Sequence, residues 1–362
     1  MKKFLMLATA SSLALYMTAC SDSSTSADDE PLKPGSVYAF ASDAYASDVG
    51  ELYGVDDDKL SGTSLEFYQD TKIIGLDGNL FVLERKGKDN LTLVDVSENK
   101  AKWQKELDKE ANPSDLVKSD NKDEVWVSYE NVAKIVKVSV KNGKITKTIK
   151  TDKFCQGEAL SPNLVDLEVS GDTLFALFGR SENYNFKVPA LLAMYKLDNG
   201  DLLDTIRLAK KNPMAMGFTK GKLYVASAGE WNLETYHMDA DDTRGIEVVD
   251  LAKKKSSMVV DGKKLGGGVW NTIVLTDGIA YAPVIEQWGS VSLAEVDLSK
   301  KSVKKISGVD DVESLAYDEA TGVLYIGDRG SKAALYAYED GELNKIDAPK
   351  DMLPVYNIAI VR

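Results

Sequence analysis

A short motif returns seven times along this chain: a turn residue, one variable residue, an apolar residue and then an aromatic. It reads Gly35-Ser36-Val37-Tyr38, Gly78-Asn79-Leu80-Phe81, Asp123-Glu124-Val125-Trp126, Gly171-Asp172-Thr173-Leu174-Phe175, Gly221-Lys222-Leu223-Tyr224, Gly278-Ile279-Ala280-Tyr281 and Gly322-Val323-Leu324-Tyr325. The fourth copy carries one extra residue, and the sixth has only Ala280 before its aromatic. The aromatics are spaced by 43, 45, 49, 49, 57 and 44 residues. One copy carries no information, but seven at a period in the forties mark a repeat architecture.

Each copy has the same surroundings. A further strand ends in an acidic turn, as in Leu91 to Asp95, Leu192 to Asp198, Ile246 to Asp250 and Leu293 to Asp297. A Lys-rich alternating strand follows, as in Lys144 to Ile149 and Val303 to Ile306, which suits an outer strand with one face in water. A strand introduced by Asn or Pro precedes each copy, at Asn112-Pro113, Pro162-Asn163, Asn212-Pro213, Asn271 and Asn357. Four strands per period predict propeller blades. The 362 residues would otherwise suggest two or three domains, but an all-β chain of this length can be one. The fold class expected is therefore an all-β, seven-bladed β-propeller with four-stranded blades over residues 35–362. Residues 36–64 begin at the second strand of a blade, and Val355 to Val361 reads as an innermost strand with nothing after it. The C-terminal strand should pair with the N-terminal blade strands and close the ring, leaving no exposed sheet edge.

Residues 1–19 read as a signal peptide: Lys2 and Lys3, then an apolar run too short to span a bilayer comfortably. The run ends Met17-Thr18-Ala19-Cys20, which resembles the bacterial lipobox and implies acylation of Cys20. Met17 departs from the Leu usual there. Ser21 after the cysteine resembles the outer-membrane sorting pattern, so the expected location is the cell envelope, as an outer-membrane lipoprotein. Residues 20–34 form the lipidated cysteine and a polar spacer. The other cysteine, Cys155, is expected to be buried and structural.

The blade pattern resembles the YVTN and quinoprotein-like propellers seen in bacterial surface lipoproteins. That resemblance covers roughly residues 35–362 and implies the fold rather than a function. Quinone docking would need tryptophans placed periodically around the blades, and the five Trp here are not.

Composition excludes several chemistries. A formal net charge of −13 argues against a nucleic-acid partner and leaves covalent lipid as the means of membrane attachment. One histidine, His237, removes most metal hydrolases. The run Gly266-Gly267-Gly268 lacks the Lys of a phosphate loop and reads as a flexible turn. No resident cofactor is expected. Calcium is the one to weigh, because lactonases on similar propellers use channel carboxylates and amides; Asp166, Asn271, Asp311, Glu313 and Asn357 are the candidate donors. The plainer reading is that these residues satisfy local backbone groups at strand starts.

The phase of the repeat also names a face. Loops after the second strands share one face with the loops between blades, and two are expanded: Gly179 to Lys187 and Gly229 to Asp242. They carry Tyr184, Trp231, Tyr236 and His237, with Trp288 in the equivalent loop of the next blade. Arg85, Tyr129, Arg180 and Arg329 fall at or just beyond second-strand ends. Trp, Tyr and Arg are the residue types enriched at recognition sites. Converging arginines would attract an anionic ligand. The leading expectation is a monomeric surface lipoprotein that captures a small-molecule ligand or an outer-membrane protein partner, possible accessory to outer-membrane uptake. A calcium-assisted lactonase-like hydrolase and a protein-interaction scaffold are the alternatives.

Overall fold

The computed structural model describes residues 37–43, 47–56, 58–182, 185–232, 234–235, 241–331 and 333–362. Cys20, the leader and the spacer lie outside these residues, as do Tyr184, Tyr236 and His237.

Seven antiparallel sheets form a seven-bladed propeller. Blade 1 joins the two ends of the folded chain. Val355–Ile360 is its innermost strand, followed outward by Val37–Ala41, Val49–Asp56 and Lys59–Tyr68. The register pairs Tyr38 with Ala359 and Val37 with Ile360, the closure that the sequence predicts. Blade 2 runs from Thr71–Leu76 to Lys100–Glu106, blade 3 from Pro113–Lys118 to Ile145–Lys150, and blade 4 from Leu164–Ser170 to Leu202–Arg207. Blade 5 runs from Pro213–Thr219 to Lys255–Asp261, and blade 7 from Val312–Asp318 to Glu342–Lys345. In blade 6 the innermost position is split into Gly268–Val269 and Val274–Thr276, both paired with the second strand Ile279–Gln287. Among the described residues the α-helix is a single turn, Gly262–Leu265.

The repeated motif follows from the two-residue period of a strand, which sends successive side chains to opposite faces of a blade. The aromatic faces the next blade and the residue before it faces the preceding one. Phe81 packs with Val125 and Val127 of blade 3, and Trp126 with Leu174 and Tyr195 of blade 4. Phe175 then packs with Leu223 and Val225 of blade 5, and Tyr224 with Ala280 and Val296 of blade 6. Tyr325 reaches Val37 and Tyr53 of blade 1, so the last seam uses the same device as the others. Burial of the Trp126 ring is complete, and its indole N–H donates to Leu197 O across the seam at 3.1 Å. At roughly 1.5–3 kcal/mol per fully buried large apolar side chain, these seams hold the ring together. The glycines that start five copies, Gly78, Gly171, Gly221, Gly278 and Gly322, sit in the left-handed region; Lys220 and Gly221, at φ 48° and 70°, make the mirror-image turn that suits a tight hairpin.

Cys155 lies between the outer strand of blade 3 and the innermost strand of blade 4. It is half-buried rather than buried, and burial and then Asp152 push its thiol up.

Candidate functional site

Asparagines open four blades with left-handed backbone: Asn112, Asn163, Asn212 and Asn271, at φ 52°, 53°, 51° and 56°. Asn tolerates this conformation better than other side chains that carry a Cβ. The peptide at this point receives the N–H of the residue just past the second strand of the same blade, as in Glu130 N to Asn112 O, Gly179 N to Asn163 O and Ala228 N to Asn212 O. The same bond runs from Arg85 to Asp70 and from Arg329 to Asp311. These paired positions ring the channel mouth.

On blades 2 to 4 the ring is bonded shut. Arg85 lies 3.0 Å from Glu130 Oε2 and 3.4 Å from Asp70 Oδ1. Glu130 also accepts from Asn112 Nδ2 at 2.6 Å and Asn163 Nδ2 at 3.3 Å. Burial works against the Arg85 charge, but Asp70 and Glu130 outweigh it and hold the guanidinium firmly protonated.

Over blades 6, 7 and 1 the same face holds a recess, with a loop of blade 5 beside it. The connection over residues 228–244 carries Trp231, and the second strand of blade 6 runs on to Gln287 before turning at Trp288-Gly289. Val291 then meets Asp311 as a parallel bridge, seating this hairpin against blade 7. Trp288 is 55% exposed. Its ring stands edge-to-face with Trp231 at 6.3 Å and with Trp270 at 5.8 Å, the latter pair at 89°. A cleft of about 220 Å³ opens beside them, with Trp270, Trp288, Ile285 and Pro354 as apolar walls and Asp43, Asp311 and Arg329 among its polar groups.

Trp270 owes its place to a tightly packed joint. The turn Gly262–Leu265 is capped by Asp261 and ends at Gly266, which has left-handed φ of 84°. A Cβ on Gly267 would stand 2.4 Å from Ile285 O, and one on Gly268 2.2 Å from Ala228 O. The glycine run is therefore a close backbone contact, not the flexible turn expected. Asn271 then interrupts the innermost strand, with Trp270 N bonded to Pro283 O at 2.9 Å.

Of the residues singled out from the sequence, Trp231 and Trp288 come together and Arg329 lines the same cleft. Tyr129 does not join them. It is fully buried in the seam between blades 2 and 3, with Lys134 Nζ 5.4 Å from its ring, so it packs the core instead of facing a ligand. Arg85 belongs to the bonded side. Arg180 is half-buried, and among the described residues it has no carboxylate partner; burial and then Arg207 lower its pKa. The converging, anion-attracting arginines do not form, because two of the three are matched by carboxylates. Arg329 lies 2.7 Å from Glu313 Oε2 and 3.6 Å from Asp311 Oδ2.

Four of the five candidate calcium donors bond to neighbouring strands or side chains, and Asp311 keeps one oxygen without a hydrogen-bond partner. Asn357 Oδ1 accepts Ile73 N at 2.9 Å, tying blade 1 to blade 2. Asp115 Oδ2 accepts Leu167 N at 3.0 Å, and Asp166 Oδ2 accepts Met216 N at 2.7 Å, tying blades 3, 4 and 5. Burial and then the Asp115 carboxylate push the Asp166 carboxyl well up, while Lys72 opposes. Asn271 Nδ2 donates to Glu313 Oε1 at 2.7 Å. Burial brings the Glu313 carboxyl up to about 7 against the pull of Arg329.

Sequence reasoning missed Trp270, although it stands one residue before the blade-opening Asn271. Asp311 was weighed only as a metal ligand. No protein-family model matches the chain, and the search of curated proteins finds no match either.

Proposed function

We propose that this chain captures a small ligand at the cell envelope, in the tryptophan-walled cleft between blades 6, 7 and 1, while a lipid on Cys20 holds it to the outer membrane. The carrying observation is Trp288. A hairpin longer than those of blades 2, 3 and 7 carries a 55% exposed indole past the rim, and two further indoles brace it. Exposing an aromatic of that size has a solvation cost, which bound ligand would recover. Capture fits better than calcium-assisted hydrolysis because Asn357, Asp166, Asn271 and Glu313 already bond to neighbouring strands and side chains, which leaves Asp311 alone of the candidate donors with an unmatched oxygen. The likeness to YVTN and quinoprotein-like propellers supports the envelope setting, and a role as accessory to outer-membrane uptake agrees with both.

Ligand-observed NMR on a panel of soluble aromatic and alkyl alcohols, amines and carboxylates tests the cleft. Saturable binding that Trp288→Ala removes is the expected result; the absence of any saturable binder overturns the reading. The tether is tested apart from it, since a Cys20→Ala protein that still partitions with membranes carries no lipid anchor there.

A further inference from the structure

We propose that the ligand of this cleft is an organic cation, an ammonium group carried on an apolar body, with Asp311 as its counter-charge. The inference rests on the capture reading above and adds the chemical class to it. Three observations converge on that class.

The first is an orphaned acceptor. Asp311 lines the cleft, and its Oδ1 is buried with no hydrogen-bond partner, while Oδ2 is 3.6 Å from Arg329. A carboxylate with one buried oxygen lacking a donor is under-compensated, and an N–H or ammonium group of a ligand beside the exposed part of Asp311 would supply the missing opposite charge.

The second is the local charge. Arg329 is the one cation lining the cleft among the described residues, and Asp311 and Glu313 both lie against it. Asp43 lines the cleft as well, and Asp310 and Asp328 stand close enough behind Asp311 to raise its pKa, though burial is the larger cause. The carboxylates outnumber the guanidinium, on a protein whose formal net charge is −13. Such a field draws cations and repels anions.

The third is the shape of the aromatic wall. Trp270 and Trp288 stand at 89° with centroids 5.8 Å apart, so two indole planes form a corner. Trp is the best aromatic partner for a cation, and corners of this kind hold quaternary and primary ammonium groups. Edge carbons of Ile285 and the Pro354 ring complete an apolar recess of about 220 Å³, room for a group of benzyl size.

Three probes that share one ring and differ in charge separate the possibilities: benzylammonium, benzyl alcohol and benzoate, each titrated into the full propeller by ligand-observed NMR. Benzylammonium should bind about tenfold more tightly than benzyl alcohol, the scale of a desolvated cation–aromatic contact, and benzoate should bind most weakly. Asp311→Asn, which keeps the side-chain shape, should erase the preference for the amine and leave the alcohol's affinity in place. A thermal melt of that variant identifies any loss of fold, and Asp43→Asn gives the charge test a second position, with a smaller loss of preference expected. Equal affinities for the three probes, or tightest binding of benzoate, would overturn the cation assignment and leave the cleft as a binding site. Absence of binding by all three would overturn both readings.

Discussion

Arg85 follows directly on the second strand of blade 2 and Glu130 on that of blade 3, and the two side chains meet across the seam at 3.0 Å. Arg329 follows the second strand of blade 7, but its carboxylate partners come from its own blade, Asp311 and Glu313. On that side the gap between blades is spanned by the blade 6 hairpin and its indoles instead of by an ion pair. The bond that crosses the blade 6–7 seam has an uncharged donor, Asn271 Nδ2 to Glu313 Oε1 at 2.7 Å, whereas Arg329 is satisfied within its own blade. One fold thus gives a closed polar rim over blades 2 to 4 and a recess over blades 6, 7 and 1.

The largest effect expected from this contrast is on the closed side. Glu130→Ala would leave Arg85, Asn112 and Asn163 without a shared acceptor and should cost roughly 2–3 kcal/mol of stability, read by urea denaturation. A cost below about 0.5 kcal/mol, the ordinary range for surface changes, would show that the rim is not held by this network. On the open side Trp288→Ala should cost less than about 1 kcal/mol, because more than half of the side chain is already in water. A loss as large as that of Glu130→Ala would make the indole a packing residue and break the comparison.

The smallest effect concerns pH. Glu313 has its carboxyl raised from 4.5 to about 7 by burial, so the fold retains a proton that the unfolded chain has released. Its contribution to stability is therefore greatest at acid pH and declines as pH rises from about 4.5 to about 7. Denaturation curves across that interval should fall more steeply for the wild type than for Glu313→Gln. Parallel slopes would mean that Glu313 titrates as an ordinary surface carboxylate and that water reaches it behind Arg329.

The blades were legible because the apolar–aromatic pair has one structural cause, the filling of two adjacent seams by neighbouring residues. Alternation also held more than was drawn from it. Tyr129 has the same parity as Val125 and Val127, which face blade 2, and that parity assigns it to the seam. Loop length singled out Trp231, and the phase of the repeat singled out Trp288. Trp270 stayed hidden because it sits where an innermost strand is interrupted, and nothing in the spacing of residues marks such a break. The partners of Arg85 and Arg329 were hidden for another reason: a charge pair across a sheet or a seam leaves no periodic trace along the chain.

Blade 1 has a consequence for the order of events in folding. Its strand Val37–Ala41 is among the first parts of the domain to be synthesised, yet one of its two edges stays bare until Val355–Ile360 arrives. Blades 2 to 7 can each assemble from contiguous chain, but no intermediate on a ribosome can complete the ring. Contacts between residues so distant in sequence form late and slowly. The nascent chain thus carries an unpaired edge, open to mispairing with other chains, for nearly the whole time of its synthesis.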